Sequence, residues 1–106
     1  LNPNALPMIR ALSETINSNK GQVIVTGHTD NRQVPAGSEF PSNWDLSAVR
    51  AAAVADSLSS LMNIPKQRLS VEGMADTQPL NDNRSAEDRA RNRRVEIVLD
   101  IAGVEQ

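Results

Sequence analysis

The sequence predicts a small α/β or α+β module in which helices and strands alternate in the order α-β-α-β-α-β. Three observations carry this. Apolar residues recur at spacings of three and four in two long stretches. Three short runs are β-branched or strictly alternating, and Gly, Pro, Asn and Asp cluster between the segments. Strands separated by helices favour parallel pairing and right-handed crossovers for at least part of the sheet. Helices then cover one face and leave the other partly wet. The 106 residues hold a single core, because two would need about twice the length.

The first helix follows Pro3 and carries Ala5, Met8, Ile9, Leu12 and Ile16 on one face. It ends in Asn17-Ser18-Asn19-Lys20-Gly21, where Gly21 can take the left-handed conformation. Gln22 to Gly27 is β-branched at its centre and suits a buried strand. His28 to Asn43 holds Pro35, Gly37 and Pro41 without periodicity, and a 16-residue loop in so small a domain is of the kind that often carries function. Ser42 or Asn43 caps a second helix, with Asp45 in its first turn favouring the positive end of the dipole. Leu46, Val49, Ala53, Val54, Leu58 and Leu61 form its apolar stripe, and Asn63-Ile64-Pro65 ends it. Arg68 to Gly73 reads as a second strand through Leu69 and Val71, and Met74 to Ser85 as a loop. Ser85 and Asp88 form a capping-box variant that opens a short third helix. Arg94 to Ile101 then sets Val95, Ile97, Leu99 and Ile101 against Glu96, Val98 and Asp100, a strand with one wetter face.

Composition removes several classes of function. With aromatics at 2% of the chain the core must be aliphatic, and a net charge of −2 argues weakly against nucleic acid. Zero cysteines exclude disulfides, thiolate metal sites and Cys nucleophiles, and a lone His28 makes a zinc site a poor expectation. No apolar run approaches the ~20 residues that cross a bilayer. A first residue of Leu rather than Met suggests a piece cut from a longer protein.

A hydrolase built on His28, Asp30 and Ser47 lacks a nucleophile elbow, since Ser47 falls inside a helix. His28 reads instead as a hydrogen-bonding residue that orders the loop. Asp76, Asp82, Glu87 and Asp88 read as turn and cap residues, and no EF-hand spacing supports metal binding through them. Five of the nine arginines lie between Arg84 and Arg94. Arg84 and Arg91 read as a solvated face with local salt bridges, because a nucleic-acid surface would want stacking aromatics and a basic chain. Opposite charges remain on the long loop and the helix after it, in Asp30 and Arg50. They either fasten loop to helix by a direct salt bridge, or together hold a ligand that carries an ammonium and a carboxylate on one carbon.

The ordered set Gly27-His28-Thr29-Asp30-Asn31, Asn43-x-x-Leu46-Ser47-x-x-Arg50-Ala51, Arg68-Leu69 with Gly73, and Asn83-x-x-x-Glu87-x-Arg89-x-x-Asn92-Arg93-Arg94-Val95-Glu96-Ile97 resembles the OmpA-like C-terminal domain. The resemblance runs from about Val23 to Ile101. It implies a mixed sheet of about three to four strands backed by helices, and non-covalent binding of peptidoglycan through the diaminopimelate of the stem peptide. By resemblance Asp30 takes the ammonium and Arg50 the carboxylate. Thr29, Asn43 and Leu46 line the pocket, and Arg93 or Arg94 approaches the stem. Phe40-Pro41-Ser42-Asn43-Trp44-Asp45-Leu46-Ser47 after a lengthened loop looks like the flagellar stator B subunit (MotB/PomB) branch. Appended domains of type VI secretion proteins of the TssL kind are the nearest competitor. The stator resemblance implies a periplasmic domain of a Gram-negative inner-membrane protein, a homodimer, and a stator A subunit met through the absent membrane part. It implies no catalysis, cofactor, metal or nucleic acid. Phe40 and Trp44 are expected to close the long loop over helix two, so that recognition runs through the peptide rather than through sugars stacked on aromatic rings.

Overall fold

The computed structural model describes residues 6–101. In chain order these form α1 (Leu6–Ser18), β1 (Gln22–His28), α2 (Asn43–Met62), a 3-10 turn at Lys66–Arg68, β2 (Leu69–Gly73), α3 (Ala86–Asn92) and β3 (Arg94–Asp100). The sheet is mixed, in the order β2-β1-β3. β1 and β2 run parallel with Val23 opposite Leu69 and Gly27 opposite Gly73, which fits the α2 crossover between them. β3 returns antiparallel, with Val23 opposite Leu99 and His28 opposite Arg94. The alternating order therefore holds, and parallel pairing is confined to β1 and β2.

The period-two alternation sorts the two sheet faces. Val23 and Val25 are fully buried with Ile16, Ala51, Ala55, Leu58 and Ile64, and Leu12, Leu69, Val95, Ile97 and Leu99 pack around them. On the opposite face stand Thr26 and His28 of β1, Glu72 of β2, and Arg94 and Glu96 of β3. The expected ends are present. Ser42 caps α2, its Oγ 3.5 Å from the Asp45 amide, and Asn63 terminates that helix in the left-handed conformation. Ser85 Oγ accepts from the Asp88 amide at 3.0 Å, and Gly21 takes a φ of +120°. The strand expected over Arg68 to Gly73 begins instead at Leu69, because Lys66–Arg68 forms the 3-10 turn. In it Arg68 donates to the carbonyls of Ile16, Asn19 and Gly21 at 3.0 Å each, tying the end of α1 to the start of β2.

Two expectations about helix faces need correction. On α1, Ile16 is buried and Leu12 half-buried, but Met8 is 77% exposed. Pro3, Ala5 and the side chain of Ile9 lie outside what is described. On α2 the buried side chains are Ser47, Ala51, Ala55 and Leu58, whereas Val49, Ala53 and Leu61 of the expected stripe are exposed. The reason is distance. A Cβ on Gly27 would collide with the Ser47 carbonyl, and one on Gly73 would lie 2.7 Å from the Ala48 amide nitrogen. The helix rests on two facing glycines, so only Ser and Ala fit at its contact points, and the larger aliphatics are turned outward.

This contact makes Gly27→Ala costly. The added methyl meets backbone rather than a flexible side chain, so the helix must lift. We expect a loss of about 3 kcal/mol or more in urea unfolding, at or above the usual range for overpacking. Gly37→Ala, with nothing within 4 Å but a φ of +85°, is expected to lose only about 1 kcal/mol through backbone strain.

Candidate functional site

Where β1 ends, its last carbonyl-side contacts set the loop that follows. The Met74 amide donates to the Gly27 carbonyl at 3.0 Å, and the Thr29 amide donates to the Ala75 carbonyl at 2.8 Å. Ser47, fully buried on α2, closes the same junction: its Oγ donates to the Trp44 carbonyl at 3.1 Å and accepts from the Ala75 amide at 3.1 Å. Three chain segments are thereby fixed together at the edge of the sheet beyond β1 and β2, where ligands of open α/β sheets commonly sit. Ser47 is a structural hydroxyl. It lies under α2 on the covered face while His28 lies on the other, so the two cannot form a triad with Asp30.

Asp30 is held at this edge by cations and an amide. Its Oδ2 accepts from Arg93 Nη1 at 2.6 Å and its Oδ1 from the Arg32 amide at 2.9 Å, and its side chain is 9% exposed. Burial acts to raise the carboxyl. The Arg93 and Arg32 hydrogen bonds, with the charges of both arginines, outweigh it and hold Asp30 below its ordinary value. Two bonds leave lone pairs free, since a carboxylate has about four acceptor positions. Thr29 Oγ1 donates to the Asp30 carbonyl at 2.9 Å, and Asn43 Nδ2 donates to the Arg32 carbonyl at 2.8 Å, so both predicted pocket residues brace the Asp30 loop.

The direct Asp30–Arg50 salt bridge is not formed, because Arg93 takes its place. Arg50 is exposed on α2, one turn beyond half-buried Leu46, and no hydrogen bond or ion pair engages it among the described residues. Arg93 and Arg94, adjacent in sequence, part company. Arg93 turns to Asp30, whereas Arg94 pairs with Glu96 Oε2 at 2.7 Å and donates to the Gln78 carbonyl at 3.0 Å. Glu96 Oε1 lies 3.2 Å from His28 Nε2. The Arg94 hydrogen bond holds Glu96 below its ordinary value against the opposing effect of burial, with the charges of Arg94 and His28 adding to it. His28 is thus a buried hydrogen-bonding residue as expected, although its partner is a strand carboxylate rather than the loop. Its Nδ1 is buried without a partner among the described residues.

Sequence reasoning missed an asparagine lock behind Arg93. Asn92, fully buried, donates to Asn81 Oδ1 at 2.8 Å and Asn83 Oδ1 at 2.7 Å, and accepts from the Leu80 amide at 2.7 Å. Asn83 sits at a φ of +62°, a conformation Asn tolerates well. The lock fixes the loop before α3 against the end of that helix, and so fixes the base of Arg93. Its sequence signals are Asn81 and Asn83 in a turn-rich stretch and the Asn83 and Asn92 of the OmpA-like motif, none of which specifies the pairing. The exposed Arg84–Asp82 pair at 2.8 Å matches the local salt bridge expected there. Trp44 is 55% exposed at the head of α2, where it shares a groove with Gln33 and Val34 of the long loop, while Phe40 is half-buried.

Comparison with known proteins places the chain. The OmpA family model matches residues 1–93. The chain belongs to the OmpA family. It is 34% identical over 95 residues to motility protein B of Bacillus subtilis, covering 89% of this chain and 36% of that one. The cell wall anchor of the type VI secretion system from Pseudomonas aeruginosa superposes with a TM-score of 0.77 at 44% identity, covering 93% of this chain and 68% of that one. A MotB-like protein from Desulfovibrio vulgaris gives a TM-score of 0.79 at 36% identity, covering 97% and 64%. The chain spans 36 to 39% of the length of the Bacillus subtilis relatives it matches. Within the OmpA family it stands near the MotB branch.

The two depressed carboxyls give this domain an acid-sensitive contribution to stability. A carboxyl whose folded value lies below its unfolded one contributes stability above the unfolded value and loses it as pH falls through the folded one. With ordinary values of 3.8 and 4.5 for Asp30 and Glu96, their contribution should be fully present above about pH 5 and fall progressively below it. Asp30→Asn should make that acid limb shallower. Arg93→Ala, which leaves burial less opposed and raises the folded value toward the unfolded one, should lower stability at neutral pH and likewise make the acid limb shallower. Urea unfolding between pH 3 and about pH 7 reads both effects.

Proposed function

We propose that this domain binds peptidoglycan non-covalently, through a stem-peptide group that carries an ammonium and a carboxylate on one carbon, as diaminopimelate does. The observation that carries the reading is the state of Asp30. It is an ionised carboxylate, preorganised by Arg93 and the Arg32 amide, with acceptor positions to spare. An ammonium adds a third partner there without displacing either. Arg50, exposed and unengaged among the described residues, on the helix bonded to this loop through Asn43, supplies the guanidinium fork for the carboxylate. Leu46 packs the apolar part of the ligand between them. Arg93 serves by orienting Asp30, and Arg94 serves the opposite face through Glu96 and the Gln78 carbonyl.

The reaction class is binding rather than catalysis, and the parent protein is read as a flagellar stator B subunit whose periplasmic domain grips the wall. The family, and relatives named for motility across most of this chain, support that parent. A second reading, the wall anchor of a type VI secretion system, is supported by the 44% identity to such an anchor. Both parents use one binding mode, and in either the domain acts as a reversible anchor. A stator parent also implies a homodimer and an A subunit reached through a membrane segment.

Asp30→Ala and Arg50→Ala should each abolish co-sedimentation with purified sacculi while leaving the circular-dichroism spectrum folded. Losing half of a charge-paired contact costs about 2–5 kcal/mol of binding. A variant that unfolds instead marks its residue as structural, and wild-type protein that stays in solution overturns the reading. Fused behind the membrane part of a motility protein B that lacks its own wall-binding domain, the chain should restore swimming. Failure there, with sacculus binding intact, favours the secretion parent.

A further inference from the structure

Beside the Asp30 site lies a groove of about 400 Å³, lined chiefly by Gln33, Ser42, Asn43, Trp44, Ala75 and Asp76. Its size falls at the small end of the about 300–1,000 Å³ typical of ligand clefts. It is continuous with the Asp30 loop. Ala75 on its wall accepts from the Thr29 amide, and Asn43 on another wall donates to the Arg32 carbonyl. Trp44 contributes the chain's single indole, more than half exposed at the head of α2. Among the described residues nothing hydrogen-bonds the indole N–H, the Gln33 side-chain amide or the Asp76 carboxylate. A large aromatic left in water forgoes the burial that would otherwise stabilise it. Here it stands at a polar-walled cleft whose acceptors and donors are uncommitted.

We propose that this groove seats a sugar ring of the glycan strand that carries the stem peptide, with one pyranose face stacked on Trp44. The inference rests on the reading of the Asp30 site as the stem-peptide site and adds a glycan contact to it. The chemistry suits a neutral amino sugar. The axial C–H groups of a pyranose make an apolar face that covers an indole plane, while its hydroxyls project from the ring edge. Asp76 accepts from a ring hydroxyl, and Gln33 can both donate to and accept from an N-acetyl group. A purely apolar occupant would strand these three polar groups, and a polyanion would meet Asp76. The stem joins the glycan at a fixed point, so a peptide held at Asp30 presents its sugar to this groove at high effective concentration.

The single tryptophan makes the test direct. Three probes are titrated into the protein: the diaminopimelate-containing tripeptide, the N-acetylglucosamine–N-acetylmuramic acid disaccharide, and the disaccharide–tripeptide. The disaccharide–tripeptide should bind about tenfold more tightly than the tripeptide and shift Trp44 emission, while the tripeptide leaves emission unmoved. By calorimetry, Trp44→Ala should erase the tenfold gain without changing tripeptide affinity, and Trp44→Phe should restore part of it. Equal affinities with unmoved emission overturn the groove and leave the Asp30 site standing. Trp44-dependent binding of the disaccharide–tripeptide with no tripeptide binding keeps the groove and overturns the Asp30 site. No binding by any probe overturns both.

Discussion

The contact between α2 and the Gly27–Gly73 pair sets the geometry of everything beyond the end of β1. Parallel pairing puts these glycines side by side, and with no Cβ on either the helix backbone settles directly on the sheet. That approach brings Ser47 within reach of the Ala75 amide, so a loop donor that would otherwise be buried unsatisfied is paired from the helix. The same residue returns a bond to the Trp44 carbonyl and tightens the first turn of α2. The helix start, the β2 exit and the loop after β1 thus share one junction, and the position of Asp30 follows from it.

A buried carboxylate is stable only with partners, and the chain supplies them from distant segments. Arg93 arrives from the far end of the sequence because β3 pairs antiparallel with β1, bringing the start of one strand beside the end of the other. The asparagine lock then prevents the turn before α3 from carrying Arg93 away. A second cation–carboxylate cluster, Arg94–Glu96–His28, lies on the opposite sheet face. Consecutive arginines therefore serve two networks, because Arg93 caps the helix and Arg94 begins the strand. Alternation across the pleat does the sorting.

Much of this was legible in the sequence, and the failures share a physical cause. The order of elements, the caps at Ser42, Asn63 and Ser85, and the wet and dry faces of β3 follow from local rules that depend only on near neighbours. The inward face of α2 did not, because hydrophobicity is a poor guide where two backbones touch: Ser47, Ala51 and Ala55 lie inside for their size. The partner of Asp30 was hidden for a related reason. Arg50 is near in sequence and Arg93 is remote, and only the antiparallel return of β3 decides between them. The resemblance named both residues without assigning the salt bridge. The exposure of Trp44 is visible only once the long loop has been placed.

On the proposed reading the domain is a small anchor, and its composition already expresses a constraint on that duty. The described residues bury an aliphatic core, and with so few aromatics there is little surface to spend on a large sticky interface. On the proposed reading, affinity for one stem peptide is modest, since Asp30 is already paired and gains only a third partner. Such binding becomes firm through repetition. The wall would offer the same group many times, the proposed dimer would present two sites, and each second engagement would be intramolecular. Individual contacts then exchange while the assembly stays in place. A buried, preorganised carboxylate suits this duty better than a flexible surface charge, because the ordering cost has been met within the fold before the ligand arrives.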